Sequence, residues 1–184
     1  MIEIAQKLKD AGTVRIPKEE IEDDIASMAV AIFSRGADSR TQEEVFRDCK
    51  RIAIEFALVK VLGGERNPKE FNFRDKDSYI WDVKVDGKKF EVKRHKTGAK
   101  YFTYSGKKIG TYIKNCMDID YLVTAYMDES DDNYIIDFAM IVDSKKFEFY
   151  FQRSQYNSSY YYDHRIATKT GDCIAFGLRD ATIY

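Results

Sequence analysis

Hydrophobic and polar positions alternate most sharply within Tyr79–Lys96, and the alternation specifies a β-hairpin. Asp86-Gly87 separates two alternating runs, and a two-residue type I′ turn requires positive φ at both central positions. This turn pairs Val85 with Lys88, Val83 with Phe90, Asp82 with Glu91 and Trp81 with Val92. Successive side chains of a strand point to opposite faces. Trp81, Val83, Val85, Phe90 and Val92 therefore share one face, and Asp82, Lys84, Lys89, Glu91 and Lys93 share the other.

The same reading orders the rest of the chain. Residues 1–16 predict a short helix and a loop. Pro17 followed by Lys18-Glu19-Glu20 opens a second helix, since proline suits the first turn and acids its positive end. Ile21, Ile25, Met28, Ala29 and Ile32 then recur at helical spacing until Gly36. Thr41 with Glu44 forms a capping box, opening one helix that runs to about Leu62 and stops at Gly63-Gly64. Its predicted buried stripe is Val45, Cys49, Ile52, Phe56 and Val59. Phe71 and Phe73 suggest a strand beside the hairpin. Residues 105–117 suggest a helix with Ile109, Tyr112, Ile113 and Cys116 on one face. Two strands follow, Tyr121–Met127 and Tyr134–Val142, separated by an acidic turn at 128–133. The stretch 145–165 is aromatic-rich, and 174–178 reads as a last strand. A strand after a crossover helix favours a mixed central sheet flanked by helices, an α/β (α+β) fold.

At 184 residues the chain is long enough for one domain with a real core. The expected organisation is a helical extension over 1–40 and a core over 41–184. No run reaches the ~18–20 apolar residues of a membrane span. The N-terminus lacks the basic-then-apolar order of a signal peptide. Cys49, Cys116 and Cys173 are odd in number and widely spaced, which fits a reducing cytoplasm rather than a disulfide framework. With only His95 and His164 beside them, no zinc site is apparent. The net charge of −1 hides an asymmetry. Between Lys84 and Lys114 ten Lys or Arg face two acids, whereas between Asp118 and Glu148 nine acids face two lysines. A basic segment beside the hairpin suits a polyanion such as DNA. A solvated lysine-rich surface is the alternative.

The hairpin register carries the candidate chemistry. Opposed Cβ atoms lie about 4.5–5.5 Å apart, and like charges placed there repel. A divalent cation between Asp82 and Glu91 reverses that sign, and Lys93 lies on the same face. Asp82 followed by Glu91-Val92-Lys93 resembles the D…(D/E)xK signature of the PD-(D/E)XK nuclease superfamily, with Trp81 where a proline often stands. The resemblance implies a restriction-endonuclease-like core, extended here by N-terminal helices, and a Mg²⁺-dependent endonuclease acting on DNA, with Mn²⁺ able to substitute. It implies a metal held by Asp82, Glu91 and the main-chain carbonyl of Val92, with Lys93 orienting or deprotonating the attacking water. Many superfamily members add a Glu from the preceding helix, and Glu55 stands in that position inside IAIEFALV, as a catalytic and metal-binding candidate. A pairing with Arg51 is the competing explanation for Glu55. Asp75 and Asp77 are weaker rivals for the first acid, because their context is turn-like.

Lys84, Lys89, Arg94, His95, Lys96 and Lys100 are the candidate phosphate contacts, with Lys100-Tyr-Phe-Thr-Tyr interleaving basic and aromatic groups. His95 is also a general-base candidate, though a lone histidine is more often a surface or hydrogen-bonded residue. The Gln152–Tyr156 spacing matches a motif of RecB-like nucleases but lies too late in the chain. Two other functions remain open: a non-catalytic nucleic-acid-binding protein using residues 84–114, and an interaction domain using the acidic face at 118–148. A homodimer is also left open.

Overall fold

The computed structural model describes residues 1–34, 40–67, 81–95, 102–105, 118–153, 155 and 159–179. Several expectations lie outside them: the stop at Gly36, the strand at Phe71–Phe73, the rival acids Asp75 and Asp77, Lys96 and Lys100, Tyr156, and all but the first residue of the helix at 105–117.

A mixed sheet runs in the order β1 (Thr13–Pro17), β7 (Asn133–Asp143), β6 (Tyr121–Glu129), β4 (Lys88–Arg94), β3 (Val83–Val85) and β2 (Glu65–Arg66). Among the described residues only the β4–β6 pair is parallel; the other pairs of this sheet are antiparallel. The free edge of β7 is shared, since β1 pairs with Asn133–Asp137 and β10 (Cys173–Ala175) with Met140–Val142. A second sheet holds β5 (Thr103–Ser105), β9 (Ser159–Tyr162) and β8 (Phe151–Arg153).

The sheet divides two cores. On one face α1 (Ile2–Asp10), α2 (Glu22–Phe33), α3 (Gln42–Cys49) and α4 (Ile52–Leu62) bury Leu8, Ile25, Val45, Ile54 and Leu58 against Val83, Phe90, Val92, Val123 and Ile136. On the other, Leu122, Met140 and Val142 pack with Phe102, Phe147, Tyr162 and Ala167, the last from α5 (His164–Thr170). Leu122 and Val123 fall in different cores because β6 is covered on both faces, which is why its sequence is almost continuously apolar.

Several elements depart from the sequence reading or add to it. The expected loop before Pro17 is a strand, with Val14 and Ile16 turned inward; two inward positions are too few for a clear alternation signal. The helix expected over 41–62 is two helices. The Thr41–Glu44 capping box is formed, but the chain turns at Lys50-Arg51, and the buried set of α4 shifts to Ile52, Ala53, Ile54, Glu55, Ala57 and Leu58. Phe56 and Val59 are only half-buried as a result. The aromatic stretch after Asp143 forms 3₁₀ turns over Ser144–Tyr150, and Asp163 then caps α5 by accepting a hydrogen bond from the Arg165 N–H at 3.2 Å.

Candidate active site

The site grows from the hairpin turn. Asp86 and Gly87 adopt φ of +48° and +77°, and the register pairs Val83 with Phe90 and Val85 with Lys88 as the alternation requires. Phe90 and Val92 are buried in the helical core, so Lys89, Glu91 and Lys93 point to the opposite face. Lys84 stands directly opposite Lys89 on that face.

Asp82 ends the ladder. Its N–H donates to the Phe90 carbonyl at 2.8 Å, and its Oδ2 accepts the Val92 N–H at 2.7 Å. A side-chain oxygen thus takes the rung that Trp81 was expected to supply. The backbone before Asp82 turns to Asn67 instead, whose side-chain amide donates to the Trp81 carbonyl at 2.8 Å and whose N–H donates to the Asp82 carbonyl at 3.0 Å. N–H and C=O of one strand residue point to the same neighbour. The Val92 carbonyl therefore lies on the Asp82 side of β4. Asp82 is nearly buried there, against the backbone between Glu91 and Lys93. The Lys93 ammonium donates to Glu91 Oε1.

A second set of charges approaches from the helices. Glu55 is 1% exposed, and two arginines face its carboxylate: Arg51 Nη1 at 3.6 Å from Oε1 and Arg66 Nε at 3.5 Å from Oε2. Arg66 also pairs with Asp24 at 3.2 Å, and its guanidinium covers the Phe56 ring at 4.3 Å. Arg51 Nη1 lies 4.0 Å from Asp82 Oδ1 as well. Asp82 is therefore the seam, touched by β4 on one oxygen and facing Arg51 with the other.

Among the described residues, no three acids, histidines or cysteines converge on one metal position. The pairing of Glu55 with Arg51 is present, with Arg66 added. Glu55 and Asp82 share Arg51 Nη1, whereas Glu91 is held by Lys93 on the face of β4 turned from the helices. The Asp82 and Glu91 carboxylates and the Val92 carbonyl are hard oxygen donors. This donor chemistry fits Mg²⁺ or Mn²⁺.

The expected phosphate contacts separate. Lys84 and Lys89 share the face of Glu91 and Lys93 and are half-buried. Arg94 falls on the other face by alternation, exposed, and donates to the Met127 carbonyl at 3.0 Å. His95 is a correction: it is 1% exposed, stacked on Tyr126 with ring centroids 4.9 Å apart and edge-on to Phe102, and contacts no phosphate from there. Burial, with a smaller effect of the His164 charge, pushes its pKa down to about 4.

Sequence reasoning missed Arg66, Asn67 and Asp120 as supports. Asp120 Oδ2 accepts the Lys89 N–H at 2.9 Å and its own N–H donates to the Lys89 carbonyl, fixing where β4 meets β6. None carries a pattern that local periodicity detects.

The family model described as bacteriophage T4 endonuclease IV matches residues 3–163, a span containing Glu55, Asp82, Glu91 and Lys93. No curated protein matches the chain. No helix among the described residues is long and apolar enough to cross a membrane.

Proposed function

The chain belongs to the bacteriophage T4 endonuclease IV family, and we propose on that footing that it hydrolyses phosphodiester bonds within DNA using Mg²⁺ held by Asp82, Glu91 and the Val92 carbonyl. The observation that supports this reading best is the Asp82 carboxylate on the Val92 N–H, with Glu91 and Lys93 to either side. It sets Asp82 against the backbone of the Glu91-Val92-Lys93 run, the residues that the D…(D/E)xK signature implies. We therefore keep the PD-(D/E)XK assignment, and with it a restriction-endonuclease-like core, as part of the proposal.

When bound, the metal supplies Lewis-acid polarisation of the phosphate and a lowered pKa for water. The protein's own groups do the rest. The Lys93 ammonium, held by Glu91, orients the attacking water and stabilises charge gathering on the phosphoryl oxygens. The water oxygen forms the new P–O bond and gives up its proton to bulk solvent, the bond to the sugar oxygen breaks, and that oxygen leaves protonated by solvent. Lys84 and Lys89 bind flanking phosphates. Facing each other across the hairpin, they repel in the free protein, and a polyanion relieves that repulsion.

Lys93→Ala is expected to lower cleavage by about 10²-fold or more while DNA binding in Ca²⁺ and thermal stability stay near wild type. Wild-type cleavage by that variant, or undiminished cleavage in excess EDTA, removes the assignment. DNA binding without any Mg²⁺-dependent cleavage leaves the non-catalytic reading.

A further inference from the structure

Resting on the hydrolase reading above, we propose that Arg51 is a further catalytic residue, its guanidinium contacting the scissile phosphate from a position over Asp82 set by Glu55. Among the described residues two arginines meet Glu55, and they differ in kind. Arg66 is the structural one, with a side chain 17% exposed, paired with Glu55 and Asp24 and stacked on Phe56. Arg51 has a side chain 41% exposed, whereas the acids it faces are inside, Glu55 at 1% and Asp82 at 12%. A cation at the mouth of an acidic recess meets an incoming anion first.

Its contacts to the Glu55 and Asp82 carboxylates, 3.6 and 4.0 Å, are ion-pair distances longer than direct hydrogen bonds. A phosphate bound beside Asp82 offers a guanidinium two parallel, shorter bonds, the geometry in which arginine is strongest. The chain position serves the same end. Arg51 stands at the break between α3 and α4, so its side chain leaves the start of α4 near the end of the hairpin ladder. An unbroken helix would carry it on a different phase. Glu55 thereby acquires a role other than metal ligation: it is a positioning residue one helical turn from Arg51, fixed by Arg66.

The test uses the full-length protein and a DNA oligonucleotide, with wild type, Arg51→Ala and Arg51→Lys. In metal-free buffer, Arg51→Ala is expected to flatten the dependence of log affinity on log salt by about 0.7–0.9, one phosphate contact. In Mg²⁺, its single-turnover cleavage is expected to fall about 10²-fold or more. Arg51→Lys keeps the salt slope but recovers only a small part of the rate, because an ammonium lacks the planar fork. Wild-type cleavage by Arg51→Ala, or an unchanged salt slope, overturns the proposal. If Arg51→Ala does not fold, full cleavage by Arg51→Lys overturns it. A wild type without Mg²⁺-dependent cleavage instead refutes the hydrolase reading, and the salt slope still decides whether Arg51 touches phosphate.

Discussion

Asp82 does with a carboxylate what the next residue of an ordinary hairpin does with its backbone. The substitution is what brings the residue to the site, because a carboxylate bonded to the Val92 N–H cannot turn away to solvent. Glu55 shows the complementary case, an acid whose burial is compensated by two guanidiniums. His95 shows a third, a titratable group buried as a neutral ring between aromatics. Its pKa near 4 has a definite consequence for stability. The unfolded chain binds a proton at His95 near pH 6.5, and the folded chain only near 4. Folding stability is therefore insensitive to this group above pH 6.5 and is lost as the pH falls from 6.5 towards 4, by about 3 kcal/mol at most. His95→Phe, which keeps a ring between Tyr126 and Phe102 but cannot take up a proton, is expected to remove that part of the pH slope. Urea unfolding of both proteins at pH 7.5 and 5.0 measures it. Equal slopes in the two proteins would show that His95 is not the titrating group.

At the scale of elements, legibility followed local information. The Asp86-Gly87 turn, the capping box at Thr41 and the β6–β7 strands each announce themselves within a few residues. The break at Lys50-Arg51 does not, because neither residue disfavours helix; Lys50 turns to Glu129 at 2.9 Å and Arg51 to Asp82, partners far away in sequence. The same reason hid β2. Glu65–Arg66 has no strand pattern, yet it pairs with Val83 and Lys84 and so carries Arg66 to Glu55. The candidate site was thus legible where it lies on the hairpin and illegible where arginines from other elements complete it. The glycines before β2 allow a test of how tight this docking is. Gly63 and Gly64 both have positive φ, +77° and +95°, but a Cβ at Gly63 meets nothing within 4 Å while one at Gly64 comes 2.2 Å from the Lys84 carbonyl oxygen. Gly63, with ψ of −168° beside that φ, occupies backbone space that essentially only glycine adopts, so Gly63→Ala is expected to cost about 1–3 kcal/mol of strain. Gly64→Ala adds a clash with β3 and is expected to cost more, and to weaken activity by displacing Arg66. Equal losses in chemical denaturation would mean that β2 does not press on β3 as closely as these distances require.

At the scale of the molecule, β6 and β7 both join the two cores. β6 contributes Val123 to the helical core and Leu122 to the aromatic one, and pairs with β4 on the site side. Damage on either face therefore reaches the site through the same strand, and the chain is expected to unfold as one cooperative unit. Trp81 is the sole tryptophan and adjoins Asp82, so its fluorescence reports on the site while far-UV circular dichroism reports on the whole chain. Leu58→Ala opens a cavity in the helical core and Leu122→Ala one in the aromatic core; each is expected to cost about 2–5 kcal/mol. Both variants should move the fluorescence and dichroism midpoints together. If Leu122→Ala shifts dichroism but leaves the Trp81 transition in place, the aromatic core melts on its own, and the site belongs to the helical half alone. The register argues against that outcome. Glu91 lies beside Leu122 and Lys93 beside Thr124, whose buried hydroxyl has no hydrogen-bond partner among the described residues. Loosening the aromatic core would move the floor on which both site side chains stand.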